Sequence, residues 1–258
     1  MLKKNILLTI SYDGTGFCGW QKQPGKRSVQ GEIEEALSIV CSREIKVNGA
    51  SRTDAGVHAY GQRVSFESDF GIPTERLQTA VNNILNGGKN YMVKSGDAQI
   101  VAVEERPLGF HARFDAKAKK YIYRISNDPE IDIFRRNYVY QVVKPLDIDH
   151  MREMAALITG TRDFKCFQAA GGEEKQTTVR TIYDIKIDTG KDIQIEITGD
   201  SFLYNMVRII TGTLVEAGLG KRHPRSVTSV IDSGDRQNAG FTAPPQGLYL
   251  AEVYYDMI

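Results

Sequence analysis

The chain has 258 residues, 41% of them hydrophobic and 25% charged, which is enough to bury a sizeable core as one large domain or two smaller ones. A formal net charge of +1 gives no global attraction for polyanions, so a nucleic-acid partner has to be read from local basic patches. Three cysteines (Cys18, Cys41, Cys166) without a C-x-x-C pair, four scattered histidines and no apolar run of spanning or signal-peptide length exclude a disulfide framework, a zinc cluster and a membrane segment; the expectation is a reduced, soluble, cytoplasmic protein with no metal.

The first element is a strand, from the alternation Ile6, Leu8, Ile10, Tyr12. YDGTGFCGWQ follows, where Gly14, Gly16 and Gly19 spell G-x-G-x-x-G. A dinucleotide site needs a helix opening at the last glycine, so that its N-terminus faces the pyrophosphate. Pro24-Gly25 signals a turn instead, and the next helix begins only near Ser28. The glycines therefore read as turn residues, on a loop whose Trp20, Gln21, Lys22, Lys26 and Arg27 suit contact with RNA.

A helix over 28–41 carries the stripe Val29, Ile33, Ala36, Leu37, Val40 and is capped by Ser28. QRVSFES reads as a strand, and a second helix over 73–85 presents Leu77, Ala80, Val81, Ile84 and Leu85 before Gly87-Gly88 stops it. The first hundred residues thus run β-α-β-α-β. In the second half KYIYRIS forms a strand with Tyr121, Tyr123 and Ile125 on one face, followed by a helix over 149–159. Two strands, built on Tyr183/Ile185/Ile187 and Ile193/Ile195/Ile197, turn at DTGKD. A helix over 202–217, apolar nearly all round, a short one opening at Pro224 and the strand GLYLAEVYY complete the chain. The division expected is 1–104 and 105–258, two α+β halves of similar layout.

GASRTDAGVHAYGQ, residues 49–62, has no helical or strand period over its first half. It sets Arg52 and Asp54 beside the small-residue turn Ala55-Gly56. On spacing alone, Asp54 is an aspartate that orders a turn with Arg52 a solvated neighbour; small residues also allow a ligand to approach the backbone closely. Arg208 lies in the middle of the apolar helix, where a guanidinium requires a carboxylate partner or a route to solvent.

SRTDAGVHA resembles the catalytic loop of the tRNA pseudouridine synthase A family. YDGTGFCGWQKQP, FHARFDAKAKKYIYRI, TVRTIYDIKI, FLYNMVRIITGTLVEAG and APPQGLYLAEVYY resemble that family's other blocks in the same order, with Ser51 a departure where many members have glycine. The resemblance implies an α+β pseudouridine synthase fold: two ferredoxin-like β/α halves, a central mostly antiparallel sheet and an active-site cleft between the halves. It implies isomerisation of uridine to pseudouridine at positions 38, 39 and 40 of the tRNA anticodon stem-loop, without a cofactor or metal. Asp54 would be the catalytic aspartate, Tyr121 would stack on the target uracil, Arg208 would pair with Asp54, and Arg52 would contact substrate. Attack on the sugar, attack on the base and abstraction of a sugar proton are all open to that carboxylate. His58 reads as structural. Members of the family are homodimers, and the balanced charge permits one here. Three basic groups (Lys22, Lys26, Arg27; Lys117, Lys119, Lys120, Arg124; Lys221, Arg222, His223, Arg225) suit a phosphate track. A noncatalytic RNA-binding module, a dinucleotide oxidoreductase and a synthase acting at another RNA site are the competing readings.

Overall fold

A computed structural model of the chain describes residues 3–87, 96–172 and 176–256. The chain divides into two compact units, Met1–Lys117 with Leu250–Ile258, and Ala118–Tyr249.

The first unit opens with β1 (Lys4–Tyr12), in which Ile6, Leu8, Ile10 and Tyr12 are all buried as the alternation requires. Leu7 is buried as well, so the strand is covered on both faces. A single 3-10 turn at Gly14–Gly16 follows, and the first α-helix, α1 (Val29–Cys41), starts ten residues after Gly19. The Ser28 hydroxyl caps it by accepting the Gly31 N–H at 3.3 Å. Val29, Ile33, Ala36 and Leu37 are buried, while Val40 is only half-buried as the helix ends. The same helix buries Glu34, whose carboxylate accepts from the Val47 N–H, the Gln30 amide and the Lys22 ammonium. After the two-residue β2 (Asn48–Gly49) comes β3 (His58–Ser68), four residues longer at its start than the alternation suggests. Next are α2 (Thr74–Leu85) and β4 (Ala98–Arg106). Gly87 follows α2 with φ 98°, and Gly88, the other half of the expected stop, lies outside the described residues.

β1 runs antiparallel between β3 and β4. β4 carries a bulge: Thr9 pairs with Ala102 and Ile10 with Ile100, which leaves Val101 as the extra residue. α2 repairs the ladder there. Asn82 accepts the Ile100 N–H at 2.7 Å and donates to its carbonyl at 2.9 Å, and Gln78 donates to the Val101 carbonyl at 2.9 Å.

The second unit contains β5 (Ala118–Ser126), β6 (Tyr140–Gln141), α3 (Ile148–Ile158), β7 (Gly160–Asp163), β8 (Val179–Thr189), β9 (Ile193–Gly199), α4 (Met206–Gly218) and α5 (Ser226–Ser233). Its strands lie in the order β5-β9-β8-β7, all antiparallel, with β6 parallel to the end of β5. β10 (Leu248–Tyr254) then returns the chain to the first unit, beside β3. The α+β reading holds in both units.

Two expectations shift. Tyr183 is 52% exposed while Ile182 is buried, because the register slips between Ile182 and Asp184 and Tyr183 becomes a bulge residue. The long helix begins at Met206, four residues late, because Asn205 adopts a left-handed φ of 60° that α-helix cannot contain. From Met206 onward the all-round burial is as expected: only Arg208 and Glu216 of α4 escape full burial. Thr211 and Thr213 satisfy their hydroxyls on the Val207 and Ile209 carbonyls one turn back.

Replacing the bulge-capping amide should be costly. Asn82→Ala is expected to lower stability by about 2 kcal/mol, since it strands the Ile100 N–H and leaves the Ile100 carbonyl to Gln78 alone of the two α2 amides. It should appear as a lower urea midpoint with an unchanged slope.

Candidate active site

Asp54 sits half-buried in the loop between β2 and β3, and the residues around it are held from several directions. At the entry, the Ala50 N–H bonds the Arg63 carbonyl at 2.8 Å. The fully buried amide of Gln62 then grips Ser51 twice, accepting its N–H at 3.1 Å and donating to its carbonyl at 2.7 Å. Thr53 shares a hydrogen bond with the Tyr12 hydroxyl at 2.7 Å, and its carbonyl accepts the Trp20 N–H at 3.0 Å. Beyond the aspartate, the Val57 N–H closes a turn on the Asp54 carbonyl at 3.2 Å, with Gly56 at φ 78°. A carboxylate on such a fixed backbone is pre-organised without help from a helix or strand.

The glycine motif turns out to be part of this clamp. A Cβ on Gly14 would lie 2.1 Å from the Val57 carbonyl oxygen, and one on Gly19, at φ 90°, would lie 2.8 Å from the Thr53 oxygen. Those two glycines let the loop after β1 press against the backbone on either side of Asp54. No α-helix opens at Gly19, which disposes of the dinucleotide reading. The expectation that Trp20 is available to RNA is corrected: it is 2% exposed and packs across Gly49 and Tyr12. His58, also 2% exposed, accepts the Gly14 N–H on Nδ1 at 3.1 Å. Nδ1 also lies 3.2 Å from Asp13, but a nitrogen accepting an N–H has no proton to give, so this approach is not an ion pair.

Arg52 is exposed, two residues before Asp54. Its charge reaches Arg113, whose guanidinium is drawn below the usual arginine range by burial first and by Arg52 second. Arg113 was not singled out by sequence reasoning; its only signal was its place inside FHARFDAKAKKYIYRI. Two of the three loop cations that were singled out are committed elsewhere. Arg27 pairs with Glu32 and Asp97, both at 2.5 Å, and lies over the Phe17 ring, while Lys22 pairs with Glu34 at 3.2 Å. In the second unit Arg222 holds Glu216 at 3.0 Å and Arg225 holds Glu153 at 3.2 Å.

Tyr121 and Arg208 belong to the second unit. Tyr121, on β5, is 7% exposed and meets the Phe202 ring edge-on at 5.1 Å. Arg208 donates from Nε to the Ala243 carbonyl at 2.7 Å and from a terminal nitrogen to Asn205 Oδ1 at 2.8 Å. The left-handed Asn205 thus starts the helix and also fixes its one arginine. Tyr123, two residues along β5 from Tyr121, donates to the Pro244 carbonyl at 2.7 Å; burial, then Tyr140, push its phenol up, against an opposing pull from Arg208. Arg208 therefore lies beside the tyrosine face of β5.

A sheet-and-helix scaffold that fixes one carboxylate on a glycine-backed loop has the form of an enzyme site. The chain belongs to the tRNA pseudouridine synthase family, whose model matches residues 8–115 and 154–256. The first segment contains the Asp54 loop and Arg113, the second contains Arg208, and Tyr121 falls between them. Relatives carry a more particular name. The tRNA pseudouridine synthase A 2 of Clostridium tetani is 43% identical over 258 residues, covering 99% of this chain and 100% of that protein. Its namesake in Clostridium perfringens is 45% identical over 98% of this chain and 100% of that protein. The tRNA pseudouridine synthase A of Bacillus subtilis is 45% identical over 96% and 98%.

The Gln62 clamp gives a direct test of loop rigidity. Gln62→Leu keeps the volume but removes the amide that bonds the Ser51 N–H and carbonyl, and is expected to cost about 2 kcal/mol in chemical denaturation.

Proposed function

We infer that the chain is a tRNA pseudouridine synthase, isomerising uridine to pseudouridine in tRNA, and that its targets are positions 38, 39 and 40 of the anticodon stem-loop. Family membership across both units carries this reading. In the reaction the bond from the ribose C1′ to N1 breaks, the uracil turns, and C1′ bonds to C5. The C5 hydrogen leaves as a proton and N1 takes one up, so the isomerisation has no net redox change.

Asp54 is proposed as the nucleophile, a role an ionised carboxylate can fill by forming a covalent intermediate. Its half-buried position and the fixed backbone on both sides support the choice, because a nucleophile held in place avoids reorganisation as it reacts. Tyr121 is proposed to stack on the displaced uracil, as aromatic rings do in enzymes that take a base out of its helix. Arg52 and Arg208 are proposed to bind the substrate; the hydrogen bonds from Arg208 to Ala243 and Asn205 restrict its guanidinium to one orientation. A homodimer in the cytoplasm is proposed as the working form. No helix among the described residues is long and apolar enough to cross a membrane.

The test uses tRNA carrying tritium at uracil C5, from which each turnover releases label. The unchanged protein should release it, and Asp54→Ala should do so at least about a thousandfold more slowly. Equal release from Asp54→Ala removes the assignment, and no release from the unchanged protein removes the activity. Replacing the uridine at each of the three positions in turn identifies the sites used.

A further inference from the structure

Phe114 is 75% exposed, yet the loop that carries it is firmly anchored. The Phe110 carbonyl accepts from Asn5 at 2.8 Å, the Ala112 N–H bonds Ser65 Oγ at 2.9 Å, and the Ala112 carbonyl accepts the Tyr255 hydroxyl at 2.9 Å. Asp115 closes the loop on itself, accepting the His111 N–H at 2.8 Å and donating its own N–H to the His111 carbonyl at 3.1 Å. Beneath, Phe110 meets Tyr255 edge-on at 4.9 Å, and the guanidinium of Arg106 lies over both rings. The exposure of Phe114 is therefore built into a rigid support.

The ring is also backed and charged. His111 lies against it with centroids 4.3 Å apart and planes 35° from parallel, and the imidazole is oriented by accepting the Arg113 N–H on Nδ1 at 3.1 Å. The Arg113 guanidinium stands 6.0 Å from the Phe114 centroid and is near enough to Arg52 to feel its charge. An exposed aromatic face beside a guanidinium matches the two parts of a nucleotide, a base to stack and a phosphate to neutralise.

We propose that Phe114, backed by His111, is a stacking subsite for an unpaired nucleotide adjoining the reacting uridine, with that nucleotide's phosphate at Arg113. The subsite rests on the tRNA reading above and extends it. It makes Phe114 and Arg113 substrate-binding residues of the Asp54 loop's surroundings, contributing to affinity and leaving the chemical step to other groups.

The experiment measures tRNA dissociation constants and tritium-release kinetics for the unchanged protein, Phe114→Ala, Phe114→Trp and Arg113→Ala, between about 50 and 200 mM salt. Phe114→Ala should raise both Kd and KM about tenfold, by the same factor at each salt concentration, while kcat stays within about twofold. Phe114→Trp should restore affinity, and its indole fluorescence should be quenched by tRNA, a signal separable from that of the buried Trp20. Arg113→Ala should instead reduce the salt slope by about one. If Phe114→Ala binds as tightly as the unchanged protein while label is still released, the subsite is wrong and the enzyme reading stands. If the unchanged protein neither binds tRNA nor releases label, both fall. A Phe114→Ala protein that loses self-association but binds tRNA normally places the ring in a protein interface and also overturns the proposal.

Discussion

The Trp20 N–H meets the Thr53 carbonyl at 3.0 Å, and much of the first unit is arranged so that this contact can form. Two backbones come that close only because Gly19 carries no side chain toward Thr53, and because Trp20 turns its indole inward across Gly49. Tyr12, at the end of β1, reaches the Thr53 hydroxyl from the same side. The aspartate next to Thr53 thereby inherits the rigidity of a buried strand, although its own loop has no periodic structure. Positional precision at a reacting group is normally supplied by helices and strands; here a second loop provides it through peptide-to-peptide contacts.

What the sequence disclosed follows from how local the cause was. The β1 stripe, the Ser28 cap and the buried face of α1 are set by neighbours within a turn or two, and they are where periodicity puts them. The bulge at Tyr183 and the late start of α4 are single-residue backbone events, which shift a pattern by one step or a few without changing its letters. Asp54 shows the division most clearly. Spacing alone suggests a turn aspartate, and its carbonyl does close a turn on Val57; the chemical reading came from the match to a family motif, not from the physics of the segment. G-x-G-x-x-G likewise matched by letter and failed by context, and its purpose became visible only when Val57 and Thr53 were found against the glycines.

Charge was the least legible property. Clustered lysines and arginines in the sequence look like a track for phosphates, but some of the partners that claim them come from remote segments. Asp97 is 70 positions from Arg27, and Glu153 is 72 from Arg225. With a net charge of +1, cations and acids are nearly equal in number, and composition cannot say which meets which. The influence of Arg52 on Arg113 is likewise a relation between residues 52 and 113 that no window of sequence contains.

The side-chain amides on α2 bear on how the protein behaves when it is not fully folded. At the bulge of β4, Asn82 supplies one acceptor and one donor, much as a residue of an adjoining strand would. Peptide groups already satisfied in this way offer no template to a strand from another molecule, the step by which sheet edges nucleate fibrils. Such growth from Ile100 and Val101 would first require α2 to peel away, and with it the buried Leu77 and Val81. The helix is therefore a guard as well as a packing element, and resistance to aggregation at this edge is tied to the cooperativity of the whole unit.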